Sequence, residues 1–385
     1  MRPHAGLTTT RYATVPIGSR LSGADNALNF LRLVLASAVI VAHTWPVGGF
    51  GTAPAFAGMS SGTWAVAGFF SISGYLIAGS RLRSRFWDYL SRRALRIFPG
   101  FWVCLIVIAF GFAPLSRVLG APGSWSPVDG VRFVVVNIYL NIHEYNVGST
   151  IHGNPYPLTW DDSLWTLFWE FSAYLVVGGL LGLAIFRRRM ATCFAALLIL
   201  TTSAYYLAEA MHITSGYVLN GSRLGASFVA GVLLYSLKDR LPASPRLFIL
   251  SLALLLGIGL AGLPNLLVAL PFAYALLYLG GTLPTRIGAR NDVSYGVYIY
   301  AFPIQQLLAT QNLQRAGELV FIVVAFVLTL PFAWLSWRLV ERPGMKLRKK
   351  LRRRRRVPIT SVPVTGMEAP VGPDSLGGSG TGTDL

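Results

Sequence analysis

The sequence is poor in charge, in cysteine and in histidine. Charged residues make up 12% of its 385 positions, about half of the roughly 25% of an average soluble domain. That excludes an ordinary soluble globular class. Cys104 and Cys193 are its 2 cysteines and both fall inside apolar runs, so neither a disulfide framework nor a cysteine-based metal site is indicated. Its 5 histidines are scattered without ligand spacing, and no metal site is read. No internal repeat is apparent, which weighs against the many transporters built from repeats. Acidic residues are also few, 15 against 33 basic ones, for a net charge of +18. In a soluble protein that excess would suggest nucleic acid. Here the positive residues sit between apolar runs, so no nucleic-acid partner follows.

What is present is hydrocarbon: 54% apolar residues and a mean hydropathy of +0.55. This composition predicts an all-α polytopic membrane protein. Ten apolar stretches are long enough to cross a core of about 30 Å: 27–46, 62–80, 94–114, 163–185, 190–209, 221–237, 247–262, 265–281, 292–310 and 318–340. The turn-type sequence GLPN, 262–265, reads as a tight hairpin between the seventh and eighth. Arg2, Arg11 and Arg20 precede the first run and place that end in the cytoplasm by the positive-inside rule. Every second loop should then be basic, and 81–96, 187–189, 238–240, 286–290 and 346–356 are. Ten spans with both termini cytoplasmic keep this asymmetry. If 131–142 also crossed, the parity of everything after it would invert, so it reads as a surface or re-entrant segment. The Ala36-Ser37-Ala38 triplet lies mid-run and is not read as a leader cleavage site. The chain divides into a disordered cytoplasmic arm (1–24), a membrane domain (25–347) and a polybasic, then disordered tail (348–385), in the cell inner (plasma) membrane.

Several ionisable residues stand where hydrocarbon is expected. In FLRLVLASAVIVAHTWP, Arg32 and His43 are eleven positions apart, which on a helix is about three turns and 16 Å and puts them on one face. Such groups usually face a protein interior or a watery cavity; the plainer account is a snorkelling arginine and a hydrogen-bonded histidine. In FFSISGYLIAGSRLR, Ser73 and Gly74, followed by Tyr75, allow close helix packing or close approach of a ligand. In YLSRRALRIFP, Arg93 and Arg96 lie at i, i+3, a forked pair suited to phosphate or to anionic lipid. SLWTLFWEFSAYL buries Glu170 two turns into the fourth run, a functional candidate by default. The preceding Asp161 and Asp162 read as helix N-caps. RLVERPGMKL closes the tenth run with Glu341 before Arg342-Pro343; a helix stop accounts for the proline and leaves the glutamate unexplained.

Taken in order, these stretches resemble the acyltransferase-3 family of integral-membrane acyltransferases, which modify sugars of surface polysaccharides, lipid-linked glycans and some secreted small molecules. The resemblance covers about 26–347. It rests on Arg32 with ten residues before His43, on FFSISGYLI, on Arg93-x-x-Arg96 followed by IFP, on LWTLFWEFSAYL, on SYGVYIYAFPI (294–304) and on ERP. No soluble hydrolase-like domain follows the tenth run, so any step it performs in other members needs a partner transferase or is dispensable.

The resemblance implies transfer of an acyl group, acetyl in the first instance, from cytoplasmic acyl-CoA to a hydroxyl of a carbohydrate acceptor, with His43 as the essential histidine. His43 would be general base or acyl relay, and Glu170 or Glu341 would orient an imidazole or an arginine. Arg93 and Arg96, with Arg32 nearby, would meet the coenzyme's phosphates. Ser73, Gly74, Tyr75 and Glu341 would support the site. Membrane lipid is an expected partner and a homo-oligomer is compatible. The competing class is a transporter or flippase of a lipid-linked sugar, with Arg32, His43 and Glu170 as an ion pathway.

Overall fold

The computed structural model describes residues 15–346, except 24 and 263–264, and the backbone alone of 265–266. Residues 1–14 of the expected arm and the whole expected tail, 348–385, lie outside the described residues, as does the centre of the GLPN turn.

Among the described residues each of the ten apolar runs is occupied by a helix. We label them α1 (Leu28–Gly48), α2 (Ser61–Leu82), α3 (Phe86–Val107), α4 (Thr166–Leu180) and α5 (Met190–Ala210). They are followed by α6 (Gly216–Ser236), α7 (Pro245–Leu260), α8 (Ala269–Thr282), α9 (Ser294–Thr310) and α10 (Glu318–Ser336). Six of these, α1, α2, α5, α6 and, with the helical turns that continue them to Val118 and Lys346, α3 and α10, are long and apolar enough to cross a membrane, and α4, α7 and α8 are shorter apolar helices. The result is an all-α, multi-pass membrane protein. Its β structure among the described residues is one two-stranded ribbon, Ala55–Phe56 with Met59–Ser60, in the α1–α2 loop, and an isolated bridge between Pro16 and Pro242.

Sequence 131–142 contributes the end of a ten-residue helix, Pro127–Val136, about 15 Å long and too short to span. Ser126 and Asp129 close its start as a capping box. Asp161 and Asp162 correct the N-cap expectation. The residue before α4 is Trp165, with no side-chain cap; Asp161 instead accepts the Ser163 N–H at 2.7 Å, and Asp162 accepts from the Tyr156 hydroxyl at 3.2 Å. These two aspartates fold the approach to the helix and leave its first turn uncapped.

The bundle is densest where α2 meets α6. A Cβ on Gly74 would fall on the Phe228 carbonyl oxygen, and one on Gly231 would fall on that of Ser71. Two glycines thus let two backbones approach reciprocally, the small-residue packing that membrane helices use where apolar burial gives no drive. Gly74 therefore serves packing here.

The basic loops gather at one end. Arg81 Nε donates to Gly178 O at 2.7 Å, Gly18 N to Lys238 O at 2.9 Å, and Arg286 pairs with Asp25 at 2.9 Å. The close of the expected arm, Ile17–Arg20, is a short helix at this end with Ile17 fully buried. The α1–α2 loop and the His43 turn lie at the opposite end.

Candidate active site

Three cavities follow one another between the two ends. The largest, about 430 Å³, includes His43 in its wall. Val39, Ala42, His43 and Pro46 present one helical face to it, and α2, α4 with the segment before it, α6, α8, Tyr298 of α9 and the α1–α2 loop supply the rest. A middle cavity of about 30 Å³ shares Val66, Thr166 and Tyr298 with it. An inner cavity of about 40 Å³ shares Arg32, Glu170 and Tyr295 with the middle one. The two small spaces match one or two waters. The neck is formed where Phe69 meets Tyr298 edge to face, centroids 5.6 Å apart; the Tyr298 hydroxyl is held by Ser163 O at 3.0 Å and lies 2.6 Å from Thr166 Oγ1.

His43 sits in a mostly apolar setting. Its ring packs edge to face with that of Phe302 at a centroid distance of 4.9 Å, and its buried Nδ1 has no hydrogen-bond partner among the described residues. The turn carrying it is pinned from α9: Gln305 Nε2 donates to Ile40 O at 2.9 Å and to Thr44 Oγ1 at 3.0 Å. Neither glutamate singled out in the sequence backs the imidazole. Glu170 Oε1 accepts from Ser73 Oγ at 3.0 Å and from the Tyr174 hydroxyl. Glu341 accepts from Arg96 at 2.9 Å and from Ser336 at 3.2 Å.

The structure brings Arg32, Arg93, Arg96, Glu170 and Ser73 together around the inner cavity, apart from the cavity of His43. Arg96 is committed to protein: Nη1 meets Glu341 at 2.9 Å and Nη2 meets Asp292 at 2.6 Å, with Tyr295 and Trp337 rings each 5.7 Å from its guanidinium carbon. Arg32 Nη1 reaches the same Asp292 oxygen at 3.0 Å. Arg93 differs. It donates to Ser80 Oγ at 3.2 Å and makes no ion pair among the described residues. Tyr75 lies against Tyr235, ring centroids 5.3 Å apart, outside the walls of these cavities.

Glu341 reaches Arg96 from a π turn, Trp337–Glu341, that prolongs α10. The wider turn redirects side chains relative to a regular helix, as such turns do at functional positions. Two further residues are not among those the sequence reading singles out. Asp292 stands close to the basic stretch RIGAR and looks like loop; only the fold puts it between Arg32 and Arg96. Arg223 lies within the sixth apolar run, and an arginine there is itself a signal.

Outside the spans, burial pushes the Asp161 carboxyl well above the usual carboxylate range, and it raises that of Asp162 against the opposing pull of the Tyr156 hydrogen bond.

A multi-pass bundle with buried arginine–carboxylate pairs at one end and a histidine-lined cavity at the other narrows the class to membrane proteins that work inside the bundle. The comparisons place it further. Residues 25–338 match the family model described as an acyltransferase domain, so the chain belongs to the acyltransferase-3 family and is an O-acyltransferase. It is similar to an O-acetyl transferase of Shigella phage Sf6, 29% identical over 340 residues, covering 83% of this chain and 95% of that protein. It is also similar to Nodulation protein 10 of Rhizobium leguminosarum bv. viciae, 26% identical over 376 residues, covering 88% and 98%. No solved structure matches it.

Proposed function

We propose that this enzyme moves an acetyl group from cytoplasmic acetyl-CoA to a hydroxyl of a surface glycan or lipid-linked sugar on the outer side of the plasma membrane. The observation that carries this reading is the run of three cavities from the arginine cluster to His43. With the basic loops inside, the donor enters at Arg93 and the acceptor enters the large cavity from the other side.

The charge balance refines where the coenzyme docks. Around the inner cavity Arg32, Arg93 and Arg96 face Glu170, Asp292 and Glu341, three of each sign, so the interior has no positive excess. The excess lies on the adjoining loop, where Arg83 and Arg85 are exposed. The nucleotide phosphates therefore belong on that loop and on Arg93, and the interior pairs receive the pantetheine arm. Arg96, held by two carboxylates, positions its neighbours. The two small cavities hold only water-sized groups, so entry of the arm requires the Phe69–Tyr298 neck to part.

At the large cavity His43 acts as general base. It takes the proton of the acceptor hydroxyl as the oxygen attacks the thioester carbonyl; the C–S bond breaks, the ester remains on the acceptor, and the thiolate takes up the proton and leaves. The test is purified protein in lipid nanodiscs with labelled acetyl-CoA. His43→Ala is expected to lower transfer about 10²–10⁴-fold, the usual loss for a general base, with the protein folded and inserted. Unchanged turnover in that variant would remove the mechanism.

A further inference from the structure

The large cavity holds a cation that the reaction above does not use. Arg223 projects from α6 into its wall. Its Nη2 donates to Asn220 Oδ1 at 3.1 Å, its buried Nε has no protein partner, and it makes no ion pair among the described residues. The contrast with the other end is sharp. Arg32 and Arg96 are each matched by carboxylates at 3.0 Å or less, whereas the carboxylate in the wall of the large cavity, Asp162, is engaged by Tyr156 and lies beyond ion-pair distance of Arg223. A guanidinium inside a spanning helix is costly unless something offsets its charge. An unpaired one in a cavity large enough for a sugar is a binding group for an anion.

We propose that Arg223 is an anion subsite for the acceptor: the sugar presented to His43 carries a carboxylate or a phosphate, and that oxyanion pairs with Arg223 while the hydroxyl to be acylated faces the imidazole. This deepens the functional reading above and rests on it, since it takes the large cavity as the acceptor's. Asn220 holds the guanidinium through Nη2 and leaves Nη1 to the ligand. The two anion sources share one chemistry: a uronic acid within the glycan, or the phosphate that links a sugar to its carrier.

The test uses three matched acceptors, methyl glucoside, methyl glucuronide and glucose 1-phosphate, with labelled acetyl-CoA and the purified full chain in nanodiscs. Wild type is expected to prefer one of the charged sugars to the neutral one by about 10-fold or more in kcat/KM, the scale of a hydrogen bond to a charged group. The preferred one identifies the source. Arg223→Gln should bring that ratio near one, mostly through KM, and Arg223→Lys should restore part of it because charge is kept. A ratio unaltered in Arg223→Gln, or a wild type that favours the neutral sugar, overturns the proposal. Binding is read separately as the thermal shift given by each sugar. A shift with charged sugars in wild type that disappears in Arg223→Gln supports the subsite even where no acetyl is transferred, and such absence of transfer counts against the acyl-transfer reading alone. Equal shifts for all three sugars, or no shift with any of them, overturn the subsite.

Discussion

Arg96 Nη2 lies 2.6 Å from Asp292 Oδ2, joining residues 196 positions apart in sequence. The same oxygen accepts from Arg32, and the other carboxylate oxygen of Asp292 accepts from Ser294. One aspartate thus ties α1, α3 and the start of α9 together at the basic-loop end of the bundle. All three side chains are largely withdrawn from solvent, 13–18% exposed, so the pair is sensitive to loss of either member.

Asp292→Asn is expected to lower stability by about 3–5 kcal/mol, because it strands the buried guanidinium of Arg32 and leaves Arg96 with Glu341 alone. The loss should appear as a lower midpoint of thermal unfolding in detergent. Asp292→Glu should recover part of it. A variant as stable as wild type would show that the two arginines find other partners.

Arg93 and Arg96 should separate. Arg93→Ala is expected to raise the apparent KM for acetyl-CoA with little loss of thermal stability, since Arg93 makes no ion pair among the described residues. Arg96→Ala should destabilise first, because it strands Glu341 and weakens the hold on Asp292. Donor titrations and melting curves on both variants provide the check; equal behaviour in both would return the pair to a shared role.

Gly74→Ala and Gly231→Ala should each cost about 1–3 kcal/mol, the usual range for overpacking, because the added methyl falls on a backbone carbonyl of the opposing helix. Gly257→Ala is the control. Its Cβ would meet nothing within 4 Å, and in a helix the change should be neutral or stabilising by up to about 1 kcal/mol. Folded yield and melting temperature distinguish the three.

Asp162 gives a pH dependence. Its carboxyl is raised by burial, so folding favours the protonated form. That contribution is full below the ordinary value of 3.8 and is lost as pH rises through the folded-state value. Asp162→Asn, which cannot ionise, is expected to melt higher than wild type at pH 7, with the gap closing as pH falls toward 4. A gap independent of pH would show that the carboxylate carries no burial penalty.

The ten helices are legible because the hydrocarbon runs are, and loop charge alone marks 131–142 as no span, in line with the ten-residue helix Pro127–Val136 that overlaps it. Arg32, Arg93, Arg96 and Glu170 were legible as ionisable residues in or beside apolar runs, and four such residues do meet at one cavity. The partners of Glu170 and Glu341 were not, nor was the role of Asp292. Ser73 reaches Glu170 across 97 positions and Arg96 reaches Glu341 across 245. No local pattern encodes those separations. By sequence Gly74 suits close helix packing or the approach of a ligand, and only the fold, with α6 against it, decides for packing.

By itself the sequence determined which segments leave water, because membrane insertion is close to an additive property of consecutive side chains, and it marked the ionisable residues that hydrocarbon would otherwise reject. Only the tertiary structure decided which of those residues neutralise one another and which remain unpaired. Ion pairing depends on distances of a few ångströms between side chains on different helices, and which helices become neighbours is set by packing. That is why Arg96 is matched twice while Arg223, in the cavity of His43, has no carboxylate within ion-pair distance among the described residues.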